Sequence, residues 1–179
     1  MADIVGLDYN PNRGLDKNQI NRLIACDFIK TGQDVFIIGS TGTGKSYIAS
    51  AIGYQACLLG YKVFYASTAK LLSVLKMAKA DGSHIRELHR IEKQDLLILD
   101  DFGIQSFDAG ARGMLMDIVE DRHGKHSTII ASQVPVKNWY DVIVEQTIAD
   151  AIIDRLVHKS LRIELIGESL RKIKAETNI

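Results

Sequence analysis

The sequence predicts an α/β fold, one parallel sheet of five strands with helices on both faces. Three observations carry this. Short runs that are apolar at nearly every position alternate along the chain with longer stretches of helical spacing. Most of these runs lack in–out alternation, which suits strands covered on both faces. Glycines or polar residues follow most of them, at the strand ends where such sheets bind their ligands. A chain of 179 residues is long enough to bury one real core.

Each element has its own local reason. Asn10-Pro11-Asn12-Arg13-Gly14 is turn chemistry. From Leu15 to Lys30, residues Ile20, Leu23, Ile24 and Phe28 fall at helical spacing, with Asp16 as the N-cap. Val35-Phe36-Ile37-Ile38 is the first strand, and Lys45 to Leu59 is a helix closed by Gly60. Lys62 to Ala66 is the second strand. Residues 68–92 read as helical, interrupted at Asp81-Gly82-Ser83. Leu96 to Leu99 is the third strand, Phe107 to Arg122 a helix stopped by Gly124, and Thr128 to Ala131 the fourth strand. Pro135 to Val144 and Thr147 to His158 follow as helices, Leu161 to Ile166 as the fifth strand, and Glu168 to Glu176 as a short last helix. Residues 1–30 thus read as an N-terminal linker and helix, and residues 31–179 as the core domain.

Composition excludes several classes. Twenty-two basic residues balance 22 acidic ones, which argues against a polybasic protein that holds nucleic acid by bulk attraction. No stretch reaches the roughly 18 apolar residues of a membrane helix. The N-terminus lacks the pattern of a secretory signal. Cys26 and Cys57 form no CxxC and no metal-ligand spacing with histidine. A cytoplasmic address with free thiols is expected.

The first strand runs into Gly39-Ser40-Thr41-Gly42-Thr43-Gly44-Lys45-Ser46, a full GxxxxGK[ST] match between strand and helix. Its glycines let backbone N–H groups curl into an anion nest, and the following helix adds its positive end. Lys45 neutralises the outer phosphates, and the Ser46 hydroxyl ligates Mg²⁺. With Tyr47 included, residues Gly39 to Tyr47 form the expected contact set for ATP. The third strand ends in Asp100-Asp101. Beside a phosphate loop, Asp100 is expected to hold the Mg²⁺ shell and Asp101 to orient the attacking water. A further strand between the two motifs is the pattern of the additional-strand NTPases, and no NKxD motif for a guanine base is present. Ser132-Gln133 follows the fourth strand, where Gln133 first and Ser132 second could reach the γ-phosphate; a solvated polar pair is the bland alternative. Arg155 and Arg171 are candidates for phosphate contacts, but spacing alone favours salt-bridged surface arginines.

The motifs in order are Gly39 to Ser46, LLILDDFG from Leu96, Glu120-Asp121-Arg122, STIIASQVP from Ser127, ADAIIDRLV from Ala149 and RIELIGESLRK from Arg162. This set resembles the IstB-like ATPases, transposition helpers of bacterial insertion sequences. They belong to the AAA+ superfamily and are related to the DnaC/DnaI helicase loaders. The resemblance implies an ATP-dependent homo-oligomer that remodels duplex DNA and recruits a transposase. It implies Arg155 as an arginine finger acting in trans and Arg171 as a second sensor. The rival reading is a DnaC/DnaI-like loader of a replicative helicase; others are a metabolic P-loop kinase and a nucleotide-binding scaffold. Two departures stand out. The common AAA+ pair is Asp-Glu, whereas this chain has Asp-Asp. The family's N-terminal helical domain and most of the AAA+ C-terminal lid are expected to be missing here.

Neutrality of the whole leaves local patches open. Basic residues exceed acidic ones by three from Arg155 to Ile179. Lys76 and Lys79, spaced to share a helix face, are candidate DNA contacts, as is a plain solvated face.

Overall fold

The computed structural model describes Tyr9 and residues 13–170. The first helix, α1 (Lys17–Ile24), starts where predicted, with the Asp16 carboxylate accepting the Asn18 N–H. The single helix expected from Leu15 to Lys30 is instead broken. Cys26 is fully buried in a left-handed conformation, φ 57°, and a separate turn, α2 (Asp27–Lys30), follows. The break turns Phe28 and Ile29 into the core. A straight continuation would not.

The remaining order is β1 (Val35–Gly39), α3 (Lys45–Leu58), β2 (Val63–Ser67), α4 (Thr68–Asp81), α5 (His84–Glu92), β3 (Leu96–Asp100), α6 (Ala109–Arg122), β4 (Ser127–Ser132), a 3-10 turn (Val136–Asn138), α7 (Trp139–Ile143), α8 (Gln146–Val157) and β5 (Leu161–Leu165). Helix α6 begins two residues later than predicted. The Asp108 carboxylate caps it by accepting the Ala111 N–H, while Phe107 is buried and donates its own N–H to Val142 O at 2.9 Å. Glu145 caps α8 in the same way, accepting from Thr147 and Ile148. The stretch from Pro135 to Val144 divides into the 3-10 turn and α7. The predicted last helix falls almost wholly outside the described residues.

All five strands are parallel, in the order β2-β3-β4-β1-β5. The expected five-stranded parallel sheet is therefore present, and β4 separates β1 from β3. Register pairs Ile38 with Ser132, Gly39 with Leu165 and Ser67 with Asp100. The phosphate loop, the acidic pair and Ser132-Gln133 consequently leave the sheet at one edge.

Alternation along the strands builds two cores. Val35 and Ile37 face α1, α2 and α3, with Ile20, Leu23, Phe28, Ile48 and Ile52. Phe36 and Ile38 face α4 to α8. There Trp139 meets Phe36 edge-on at 5.0 Å and Phe102 at 4.7 Å, and its indole N–H donates to Val134 O. No helix among the described residues is long and apolar enough to cross a membrane.

At the opposite edge of the sheet lies a buried polar knot. Arg122 donates to Ile91 O (2.9 Å), Gln94 O (2.8 Å), Ser127 O (2.6 Å) and Thr128 Oγ1 (3.3 Å). Burial lowers its pKa to about 10, against the raising pull of Asp34 and Asp95. Asp34 accepts the Thr128 N–H at 2.8 Å. Burial pushes Asp34 up to about 7, opposed by that N–H and by the Arg122 charge. The knot ties the ends of α5 and α6 to the start of β4.

Candidate nucleotide site

The phosphate loop is shaped by its own sequence. Gly42 and Gly44 take φ of 82° and 98°, in the left-handed region that favours glycine. Thr43 Oγ1 donates to Ser40 O at 2.8 Å, and Lys45 Nζ reaches the same carbonyl at 2.8 Å. Lys45 is buried over the loop, where an ammonium with three N–H donors can hold both carbonyl and phosphate oxygens. Ile48 N–H bonds to Gly44 O at 3.0 Å and closes the first turn of α3. The N-terminal end of α3 therefore opens on the loop, with Ser46 and Tyr47 exposed in that first turn.

Asp100, at the end of β3, is buried. Its Oδ1 accepts the Asp101 N–H at 2.9 Å, and its Oδ2 accepts the hydroxyl of Tyr65. The Thr68 hydroxyl donates to the Asp100 carbonyl at 2.8 Å. Burial and the adjoining Asp100 carboxylate raise the Tyr65 phenol to about 12, so it remains a donor. Asp101 is exposed and left-handed, φ 56°, which turns it away from the line of β3.

Ser132 and Gln133 have different surroundings. The fully buried Ser132 hydroxyl donates to Phe102 O at 2.6 Å and accepts the Val134 N–H at 3.0 Å. It joins the end of β4 to the loop after β3, a correction to the expectation that it faces a phosphate. Gln133 is the member that reaches the phosphate loop, its Oε1 accepting from Thr41 Oγ1 at 2.6 Å.

Arg155 is not in this site. It lies in the last turn of α8, just before the residues that feed the start of β5. Leu161, where β5 begins, donates to Asp34 O at the N-terminal edge of the sheet. The phosphate loop leaves the C-terminal edge, about 13 Å away along a five-residue strand. Arg155 donates to Ala151 O at 3.0 Å and pairs with Glu120 at 3.3 Å. Arg171 lies outside the described residues. Lys76 pairs with the Asp108 carboxylate at 2.6 Å, while Lys79 is exposed on the same helix.

Sequence reasoning missed Tyr65 and both flanks of the loop. Arg13 Nη2 donates to Thr43 O at 2.8 Å, and the Leu170 N–H donates to Gly42 O at 2.9 Å. The two flanks meet where the Ile166 N–H bonds to Arg13 O. Nothing local signals these contacts, because they follow from β5 lying next to β1.

The arrangement can cradle a triphosphate, with backbone donors, an ammonium, a hydroxyl and a carboxylate on one sheet edge. No group of three or more His, Cys, Asp or Glu suited to a metal occurs among the described residues. Mg²⁺ does not require one, since it commonly uses one or two protein oxygens, substrate phosphates and water. Ser46 and Asp100 fit that donor set.

The comparisons with known proteins agree with this geometry. The family model described as "IstB-like ATP binding protein" matches residues 1–177. The putative insertion sequence ATP-binding protein y4pL of Sinorhizobium fredii is 43% identical over 166 residues, covering 93% of this chain and 68% of the relative. A second protein of that organism, y4uH, is 41% identical over 167 residues, covering 93% and 67%. The chain thus spans about two thirds of the length of these curated relatives. The crystal structure of the DnaC helicase loader superposes with a TM-score of 0.76 at 19% identity, covering 92% of this chain and 97% of that one. That likeness concerns the fold alone. With phosphate loop, acidic strand end and sheet order all in place, the chain belongs to the family of IstB-like ATP-binding proteins.

Proposed function

We propose that this AAA+ ATP hydrolase assembles head to tail on duplex DNA in its Mg-ATP state and helps a transposase use that DNA. The observation that carries the assembly is the position of Arg155, at the sheet edge opposite the phosphate loop. Only a neighbouring copy can bring that guanidinium to a γ-phosphate, where it offsets charge developing during transfer. Lys45 and the loop N–H groups hold the phosphates, and Ser46 and Asp100 hold Mg²⁺. Asp101 and Gln133 handle the attacking water and γ-phosphate, and Arg171 acts as a second sensor. The transposition role rests on the names of the relatives, which are insertion sequence ATP-binding proteins. The DNA contacts are assigned to the basic face of α4 around Lys79, with Lys76 released from Asp108 to join it.

The test is complementation between two inactive variants. Lys45→Ala keeps the arginine but lacks the phosphate lysine, and Arg155→Ala has the reverse defect. Each alone is expected to lose most ATPase activity. An equal mixture is expected to regain activity, because about a quarter of head-to-tail contacts then join an intact loop to an intact arginine. A mixture no more active than its parts refutes assembly through Arg155. Stimulation by duplex rather than single-stranded DNA separates this role from that of a helicase loader.

A further inference from the structure

We propose that Tyr65 is a positioning residue for the metal site. Its hydroxyl, held by Ser50 on α3, fixes the Asp100 carboxylate in the orientation that receives the water shell of Mg²⁺. This rests on the nucleotide–Mg²⁺ reading above.

The placement follows from the sheet register. Tyr65 pairs with Ile98, and Ser67 pairs with Asp100, so Tyr65 stands on the same face of the sheet as the Asp100 side chain, two residues back. That face is covered by α3, since Ile98 packs with Ile48 and Ile52. Tyr65 therefore sits where the phosphate-loop helix meets the acidic strand. Its phenol oxygen donates to Asp100 Oδ2 and is itself hydrogen-bonded by the Ser50 side chain. Ser50 is one turn along α3 from Ser46, on the same helix face. The relay Ser50–Tyr65–Asp100 thus ties the helix that supplies the Ser46 hydroxyl to the strand that supplies the carboxylate.

Without this tie, among the described residues only the Asp101 N–H on Oδ1 is seen to orient the carboxylate side chain. With it, each oxygen is fixed by one donor, and each retains a lone pair for metal-bound water. Thr68, the first residue of α4 directly after β2, anchors the Asp100 carbonyl as well. Packing does not demand the hydroxyl. Tyr65 lies on an edge strand and is 44% exposed, so a phenylalanine fits the same space.

The experiment titrates Mg²⁺ against binding of a fluorescent ATP analogue, for the wild type and for Tyr65→Phe. The variant is expected to need roughly ten-fold more Mg²⁺ for half-maximal enhancement, the scale of one lost hydrogen bond to a charged group. Binding of the analogue in EDTA is expected to stay at the wild-type value. Tyr65→Leu should show the same metal shift even where its thermal midpoint falls. A Tyr65→Phe titration that overlays a Mg²⁺-dependent wild type overturns the role of Tyr65 alone. A wild type whose binding ignores Mg²⁺ overturns the metal-site reading, and this inference with it.

Discussion

Gly42→Ala separates two constraints on the phosphate loop. The first is conformational, since φ at Gly42 is 82° and an alanine there costs about 1–2 kcal/mol. The second is steric. A Cβ at this position would lie 2.1 Å from Ser169 Oγ, 2.7 Å from Ser169 Cβ and 3.1 Å from its Cα. The hydroxyl can rotate away, but the Cβ overlap forces the segment to retreat by about 1 Å to reach ordinary contact. That retreat breaks the Leu170 N–H bond to Gly42 O, now 2.9 Å, at about 1 kcal/mol. The sum is about 2–3 kcal/mol, equivalent to roughly 30- to 150-fold in affinity if it falls on the loop's binding conformation. The assay is equilibrium binding of a fluorescent ATP analogue to wild type, Gly42→Ala, Ser169→Gly and the double variant. The double variant removes the overlap but not the left-handed strain, so it is expected to recover about five-fold of the loss. Recovery of nothing would refute the steric half of the argument. Wild-type affinity in the single variant would refute both halves.

Other perturbations test the frame around the site. Arg122→Met takes a donor from three carbonyl oxygens, of which Ile91 O keeps the Gln94 N–H, and is expected to destabilise the fold by about 3–5 kcal/mol in urea denaturation; a loss under about 1 kcal/mol would contradict the knot. Asp34 is raised from 3.8 to about 7 in the fold, so the folded chain binds the extra proton between those values. Its stabilising contribution is present at low pH and is lost as pH rises through the folded pKa. Asp34→Asn should remove that slope, and its stability relative to wild type should climb across the window; a flat difference sinks the assignment. Ser132→Ala should lower the thermal midpoint, since it leaves Phe102 O and the Val134 N–H without their shared partner. A loss of activity with no loss of stability would return Ser132 to the phosphate.

Local chemistry explains what was legible in advance. The core strands β1 and β3 are apolar nearly throughout, β4 is apolar at its centre, and the phosphate loop is written in consecutive residues. What escaped depends on neighbours distant in sequence. The break at Cys26 is set by packing against α3, and propensity alone favours one continuous helix. Asp108 was available as a capping residue, yet the apolar Phe107 was drawn into the helix because burial in a loop and burial on a helix look alike in one dimension. Tyr65 reads as an ordinary strand aromatic until the parallel register brings it to Asp100. Ser132 and Gln133 are adjacent polar residues with opposite fates, because successive side chains at a strand end point to opposite sides.

The polarity of the sheet has a consequence for counting. In the proposed head-to-tail assembly, with the loop at one edge and Arg155 at the other, a subunit has a socket end and a plug end. Copies joined through them follow one another in a single direction, so a two-fold dimer cannot satisfy both ends. An open row always leaves one socket empty and one plug unused. Turnover per subunit then rises with row length and levels off, whereas a closed ring reaches the full value at once. A length-dependent rate on DNA fragments of increasing size is therefore the signature of an open row.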